Sequence, residues 1–198
     1  MKIVIYFNFL LLVCSCSQDK SKEVAFSNPS FPKIYTLKSS NEISSRNDTI
    51  YLNTKKYSGY LYELYPNQKD TVFVSSYING LQNGTEKKWF PNGQKMEIRS
   101  FMNGKKNGKQ TAFWENGNKK FEFIAKNDVY EGEMKEWNNE GKLIHLANYK
   151  NGQENGIQKL WYDNGKIRAN YVLIDGKRYG LLGTKNCRNV SDSIFSSK

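Results

Sequence analysis

Glycine recurs at a fixed interval along most of this chain. Gly84, Gly108, Gly132, Gly156 and Gly180 are spaced 24 residues apart. A self-similar period of about 20–50 residues is typical of repeat architectures, in which each unit packs on its neighbours. The glycine period constrains the fold more than composition does, and it predicts tandem units of about 24 residues.

Two further sets of residues recur with the same 24-residue period, and we call each such set a column. Four of these glycines are followed, five residues later, by an aromatic residue: Trp89, Phe113, Trp137 and Trp161. Two later positions in each unit are mostly occupied by Asn-Gly or Asp-Gly pairs, as in Asn92-Gly93 and Asn103-Gly104. An ordinary β-sandwich also has turns every 8–12 residues or so. Matched columns at one period favour repeats over a sandwich.

Each unit reads as two short strands and two turns. Asn-Gly is typical of type I′ hairpin turns, which need positive φ at both central residues. In the unit at Gly84, this predicts strands over residues 84–90 and 95–101. Alternation then places Trp89 and Lys87 on one face and Lys88 on the other, so the aromatic column could stack between repeats. Second strands differ in phase, which leaves their inner face open.

These patterns predict an all-β protein: tandem hairpins that form an elongated, twisted antiparallel sheet over residues 48–183. Only 38% of the chain is hydrophobic and 14% is aromatic, which suits a thin layer of rings. Thr49–Leu52 is a predicted capping strand. Residues 16–47 are Ser-, Asn- and Lys-rich and predict a flexible tether, and residues 184–198 predict a polar tail.

The N-terminus predicts export. Lys2 precedes a short apolar run, and small residues follow around Cys14 and Cys16, as in a secretory signal over residues 1–15. The run also resembles a bacterial lipobox with Cys16 as the lipidated residue; the alternative is an ordinary cleaved signal. Ser17 follows that cysteine, and a residue of this kind at that position resembles the pattern of lipoproteins that reach the outer membrane. Cleavage before Cys16 would leave Cys187 as the other thiol, so no internal disulfide would be possible.

The repeat columns resemble a known family. Gly80-Leu-Gln-Asn-Gly84 with Trp89-Phe90 and Asn92-Gly93 is similar to the MORN-repeat variant of bacterial antitoxin-like proteins of the YwqK type. The motif returns at Gly104 and at Gly152. The resemblance implies a stack of β-hairpins and, more weakly, an antitoxin role. Asp128 and Gln68 stand where the motif has glycine, which puts those turns in doubt, but not the fold.

The sequence offers little for catalysis. His145 is the single histidine and has no Cys or His partner at metal-ligand spacing. Glu131, Glu133 and Glu136 lack the Asp-rich loop of a calcium site and read as a solvated strand face. We therefore expect no catalytic residue, no metal and no cofactor, and the chain is predicted not to be an enzyme.

Charge is the remaining signal. Lys and Arg number 30 against 19 acids, a net charge of +11. Paired lysines recur and could form a basic ridge along the sheet: Lys87, Lys88, Lys105, Lys106, Lys119 and Lys120. Lysine on exposed strands also prevents edge-to-edge pairing, which alone could explain it.

The function expected from these features is a non-enzymatic lipoprotein of the cell envelope, on the outer membrane, that binds a protein or an anionic envelope component. The alternative is an antitoxin or immunity protein that covers a toxin. An exported chain rarely meets nucleic acid, so none is expected as a partner.

Overall fold

The computed structural model describes residues 31–183, and in that range every regular element is a β-strand. The strands are β1 (Tyr35–Leu37), β2 (Ile43–Arg46), β3 (Thr49–Leu52), β4 (Lys55–Lys56), β5 (Gly59–Leu64), β6 (Thr71–Ile78), β7 (Leu81–Trp89), β8 (Lys95–Met102), β9 (Lys105–Phe113), β10 (Lys119–Lys126), β11 (Val129–Trp137), β12 (Leu143–Lys150), β13 (Gln153–Trp161), β14 (Ile167–Ile174) and β15 (Lys177–Leu181). The all-β prediction is confirmed.

Twelve strands form one long sheet in the order β1, then β5 to β15. From β5 onward each strand is antiparallel to the next one along the chain, so the sheet is a series of hairpins. This confirms the predicted repeat sheet. β1 is the exception, because it lies parallel to β5.

The periodic glycines lie inside strands, and not at their starts as the sequence predicted. β7 begins at Leu81, three residues before Gly84, and Gly84 has φ +84°. β9 places three residues, 107–109, opposite the single Ser100 of β8, and Gly108 is the middle one. Such a β-bulge bends the strand and increases its twist, and glycine accepts the positive φ without steric cost. Four of the five periodic glycines, all but Gly180, therefore mark bends within strands.

Two kinds of turn alternate along the sheet. Turns of two residues connect β6 to β7, β8 to β9, β10 to β11, β12 to β13 and β14 to β15, and we call the end of the sheet that carries them the short-turn edge. The opposite end, the long-loop edge, carries the loops between β5 and β6, β7 and β8, β9 and β10, β11 and β12, and β13 and β14. Asn103 and Gly104 both have positive φ, +51° and +81°, which is the predicted type I′ turn.

The prediction of type I′ turns is wrong at the long-loop edge. Gly93 has φ +79°, but Asn92 is not among the residues with positive φ. The Gly93 N–H donates to Phe90 O at 2.9 Å and the Phe90 N–H to Gln94 O at 2.8 Å. This is a type I turn closed by a left-handed glycine, the usual three-residue hairpin, and Pro91 fits its first corner. Asn92 Oδ1 accepts the Gln94 N–H at 2.9 Å, so asparagine acts here through its side chain.

The two positions that lack the motif glycine keep the turn geometry. Gln68 has φ +58° and Asp128 has φ +70°. Asp128 Oδ1 also accepts the Lys106 N–H at 2.8 Å. The turns therefore survive the substitutions, with a left-handed residue that carries a side chain.

Part of the predicted tether is ordered, so that boundary is wrong. β1 and β2 lie within residues 16–47; β2 pairs with β3, and Tyr57 binds the segment that contains β1. The buried Tyr57 hydroxyl donates to Tyr60 O at 2.8 Å and lies 3.2 Å from both Ile34 O and Thr36 Oγ1. Desolvation by burial raises the pKa of this phenol. A single tyrosine 20 residues downstream is not a pattern that composition could reveal.

β2, β3 and β4 form a separate three-stranded sheet. β3 has the bounds predicted for the capping strand. The Ile50 N–H donates to Gly80 O at 2.8 Å, and the Gly80 N–H donates to Tyr57 O at 2.7 Å. The small sheet is thus joined to the first turn of the short-turn edge.

The predicted signal, the lipidated Cys16, Cys187 and the polar tail all lie outside the described residues. Between residues 31 and 183, no helix has the length and apolar character needed to cross a membrane.

Candidate interaction surfaces

Cross-strand pairing sorts the side chains of the main sheet onto two faces, because paired residues of neighbouring strands point to the same side. Face A has two rows of paired residues. The first is Phe73, Lys88, Glu97, Ala112, Phe121, Glu136, His145, Leu160 and Ala169. The second is Leu61, Ser75, Glu86, Arg99, Gln110, Phe123, Met134, Ala147, Gln158 and Tyr171. The central row of face B is Lys87, Ile98, Thr111, Glu122, Lys135, Leu146, Lys159 and Asn170.

Most of the buried core of the main sheet lies on face A. Leu61, Met134 and Ala147 are among its buried apolar residues. The same face holds buried Gln110 and Gln158, both fully inaccessible. Gln110 Nε2 donates to Ser100 O at 2.8 Å, and Gln158 Nε2 donates to Asn148 O at 2.8 Å. Both carbonyls belong to the residue that faces a bulge, so the amide replaces hydrogen bonds that the bulge disrupts.

The aromatic contacts of face A run through residues that the sequence left unassigned. Phe121 and Phe123 lie here, with ring centres 5.7 Å apart, while Ile98 and Leu146 point to face B. The Tyr130 ring lies 4.5 Å from Phe123 and 4.9 Å from Tyr149. The layer of aromatic rings therefore connects β11, the first strand of a repeat, with the second strands β10 and β12 on either side of it.

The predicted Trp column does not form this layer. Trp89, Phe113, Trp137 and Trp161 are half-buried near the long-loop edge. They lie on every second strand, so they are about 9–10 Å apart at strand spacing, too far for ring stacking. Other contacts link them to neighbours: Trp114 Nε1 donates to Trp137 O at 3.0 Å, and Lys119 Nζ lies 5.5 Å from the Trp137 ring centre.

Charges on face A are largely paired. Lys88 lies 3.4 Å from Glu86 and 3.6 Å from Glu97, and Arg99 lies 3.0 Å from Glu97. Burial raises the pKa of the Glu97 carboxyl, but Arg99 and Lys88 more than offset this, and its pKa is below its ordinary value. On face A, most positive charges are therefore offset by neighbouring carboxylates.

His145 also belongs to face A, where it has one charged neighbour. His145 Nδ1 lies 3.3 Å from Glu136 Oε2, and this hydrogen bond lowers the pKa of the Glu136 carboxyl despite partial desolvation. Glu131 accepts the Asn151 N–H at 2.9 Å, and Glu133 is paired with Lys135. Across residues 31–183, no group of three His, Cys, Asp or Glu side chains could hold a metal ion.

Face B carries lysines at corresponding positions of the repeats. Lys87, Lys135 and Lys159 occupy its central row in β7, β11 and β13. Among the described residues, Lys87 and Lys159 have no carboxylate within ion-pair distance, whereas Lys135 pairs with Glu133. Glu122 is the only acid of that central row and is paired with Lys109 and Lys119. Face B therefore has more unpaired positive charge than face A, where Lys106, opposite Phe101, is a described lysine without an ion pair.

The six lysines of the predicted ridge do not share one line. Lys87 points to face B and Lys88 to face A, both close to the long-loop edge. Lys119 and Lys120 begin β10 at that same edge, and Lys120 Nζ lies 4.5 Å from the Trp114 ring centre. Lys105 and Lys106 begin the nine-residue strand β9 at the short-turn edge, the opposite end of the sheet from the other four lysines. Adjacent residues in a strand point to opposite faces, so lysine pairs cannot form one ridge.

The largest described cleft lies between the small sheet and face A. Its volume is about 540 Å³, and Ile43, Ile50, Leu61 and Phe73 line it together with Lys38 and Glu63. Lys38 and Glu63 pair across 3.6 Å. Glu86 and Lys88, which also line the cleft, are paired as well.

The arrangement defines a class: a β-hairpin repeat protein whose units bury a core on one face of a single sheet. Residues 82–103, 130–151 and 154–171 match the family model described as MORN repeat variant. The three matched segments begin at residues 82, 130 and 154, in phase with the 24-residue glycine period. No curated protein matches the chain. A match to repeats of this kind suggests a repeat-based binding protein.

Proposed function

We propose that the protein is a binding protein of the bacterial cell envelope, anchored through a lipid on Cys16, that holds an anionic envelope component against face B. The lipid anchor rests on the lipobox-like sequence that ends at Cys16. The choice of face rests on the structure. One observation carries it: the two faces of one sheet differ in charge pairing.

The lysines of face B are suited to an anionic surface. Lys87, Lys135 and Lys159 project from β7, β11 and β13, so their spacing along the sheet follows strand spacing. Each is on the same side as the others, and neighbouring second strands contribute apolar Ile98 and Leu146. A flat row of cations with few acids attracts anionic lipid headgroups or acidic polymers.

Face A is less suited to this role. Its cations Lys88, Arg99 and Arg178 are each within 3.6 Å of a glutamate. A partner would have to compete with these pairs, and the buried core lies directly beneath them. Apart from Lys106, the unpaired lysines of the two faces that lie in the central rows are therefore on face B.

Vesicle binding tests the proposal. The purified protein in its unlipidated form, which has no acyl chain to insert into a bilayer, should sediment with vesicles that contain phosphatidylglycerol and not with phosphatidylcholine alone, and binding should weaken with salt. Lys87→Gln with Lys159→Gln should reduce binding roughly 30-fold, since each lysine near an anionic surface contributes about 1 kcal/mol. Lys88→Gln with Lys106→Gln removes the same charge from face A and is the matched control.

Equal losses in the two variants would reject the assignment of face B. Binding to an acidic protein, without binding to vesicles or acidic polysaccharide, would favour the antitoxin alternative. Mass spectrometry of the mature N-terminal peptide tests the anchor: a diacylated Cys16 is expected, and an unmodified N-terminus elsewhere would reject it.

A further inference from the structure

The last strand of the main sheet has an open side. β15 pairs with β14, and no described strand lies on its other side. All five of its residues are exposed. Tyr179 and Leu181 are about half exposed, as is Ile174 on the neighbouring strand. An uncovered edge strand with apolar side chains is a template for pairing with another strand.

β15 also lacks the feature that bends the other first strands. Registers between β6 and β7, β8 and β9, β10 and β11, and β12 and β13 all shift at a bulge. The register between β14 and β15 runs without a shift from Ile174↔Lys177 to Asn170↔Leu181. Bulges twist edges away from intermolecular pairing, and β15 does not have this protection.

The turn geometry shows which backbone groups face outward. Ile174 and Lys177 flank the two-residue turn Asp175-Gly176, so they are a hydrogen-bonded pair. Pairs alternate along antiparallel strands, so Tyr179 and Leu181 also bond to β14. The N–H and C=O groups of Arg178 and Gly180 therefore point away from the sheet.

From this geometry we infer that β15 is a self-association site, at which two copies of the chain pair antiparallel about Tyr179. In that register, Arg178 of each copy exchanges hydrogen bonds with Gly180 of the other, which joins four outward-pointing groups per copy. Face A of both copies lies on the same side of one continuous sheet.

Strand length and charge together select this register. A shift that centres the pair on Gly180 would leave Lys177 and Arg178 without a partner inside the five residues of β15. Centring the pair on Tyr179 places Lys177 across from Leu181 and Arg178 across from Gly180, so no like charges face each other. A shift that centres the pair on Arg178 places two guanidinium groups opposite, which is destabilising. The two Tyr179 rings then form a close, non-hydrogen-bonded pair on face B, beside Leu181.

The contact is small. Five residues per copy bury far less than the roughly 1,200 Å² of a standard stable interface, so the dimer is weak in solution. Confinement of the chains to a membrane by a lipid anchor would raise their effective concentration. The inference does not depend on the anionic partner of face B, because that surface lies on other strands.

A proline substitution separates edge pairing from folding. Arg178→Pro removes an outward N–H but none that bonds β14, and proline is tolerated at such edge positions. In sedimentation equilibrium, the unchanged protein should show a concentration-dependent dimer, and Arg178→Pro should weaken it roughly tenfold or more. Arg178→Ala, the control, keeps the N–H, loses the exposed pair with Glu154 and the contact with the Tyr171 ring, and should still dimerise.

A cysteine substitution tests the register. With the three native cysteines replaced by serine, Tyr179→Cys should form an intermolecular disulfide on oxidation, because the paired Cα atoms lie at bridging distance. Lys177→Cys should not, since it faces Leu181. A monomer at all concentrations, equal dimerisation of Arg178→Pro and Arg178→Ala, or cross-linking at Lys177 would overturn the inference. Vesicle binding by a strictly monomeric protein would leave the proposed function intact.

Discussion

The two edges of the main sheet use the same dipeptide in different ways. At the short-turn edge, both Asn103 and Gly104 adopt left-handed backbone conformations. At the long-loop edge only Gly93 does so, and Asn92 instead accepts a backbone hydrogen bond from Gln94. The comparison shows that loop length, and not the Asn-Gly pair, decides the turn.

The edges also differ in how neighbouring repeats are joined. At the short-turn edge the Gly104 N–H donates to Gln82 O at 2.8 Å, and the Gly152 N–H to Tyr130 O at 2.9 Å. At the long-loop edge the links come from side chains, such as Asn116 Nδ2 to Asn139 O at 2.6 Å. Backbone links survive most substitutions that keep the turn shape, whereas side-chain links depend on residue identity. Short turns should therefore be sensitive to shape and long loops to chemistry.

The largest effect is expected from alanine at two glycines with nearly equal φ. Gly80 and Gly93 have φ of +80° and +79°. A Cβ on Gly80 would lie 2.8 Å from Ile50 O and overlap Thr49, whereas nothing lies within 4 Å at Gly93. Gly80→Ala should destabilise by about 2–4 kcal/mol and Gly93→Ala by about 1–2 kcal/mol in urea unfolding. Equal losses would mean that φ alone governs both edges.

A smaller, stabilising effect is expected at the long-loop edge between β5 and β6. Gln68 occupies a left-handed position where the other loops have glycine, so Gln68→Gly should raise the free energy of unfolding by about 1 kcal/mol. Asp128→Gly relieves the same strain at the short-turn edge but removes the hydrogen bond to Lys106. Thermal unfolding should show little change for Asp128→Gly, and a similar gain in both variants would contradict this account.

The smallest effect is expected from exchanging asparagines. Asn92→Ala should cost about 0.5–1.5 kcal/mol because the Gln94 N–H loses its acceptor, and Asn92→Asp should be nearly neutral because it keeps one. Asn103→Gly should also be nearly neutral, since glycine adopts its φ of +51° freely. Denaturant titration of the three variants checks this order, which a loss at Asn103→Gly as large as that at Asn92→Ala would refute.

Much of the sheet could be predicted from the sequence. The 24-residue period and the Asn-Gly marks indicate hairpins, and alternation correctly separates Lys87 from Lys88. These signals are local, because turn chemistry and strand alternation act over a few residues. They also indicated that Phe121 and Phe123 differ in phase from Ile98, although not which phase faces the core.

Other features depend on contacts that no local pattern encodes. Gly84 marks a bulge, which the sequence could not distinguish from a strand start, because both conformations favour glycine. Gln110 and Gln158 lie two residues after a periodic glycine, a signal that could have found them, but glutamine is not expected in a core. β1 is held by the distant Tyr57, so the composition of its own segment did not indicate a strand.

From β6 to β14 every strand bonds only to the strand before it and the strand after it. The number of repeats can therefore change without altering how the remaining strands pair. Excising 24 residues in phase would join equivalent strands and shorten the molecule by two strand spacings, about 10 Å, while both ends kept their surroundings. Such a protein can be lengthened or shortened in fixed increments to match the span that it has to cover.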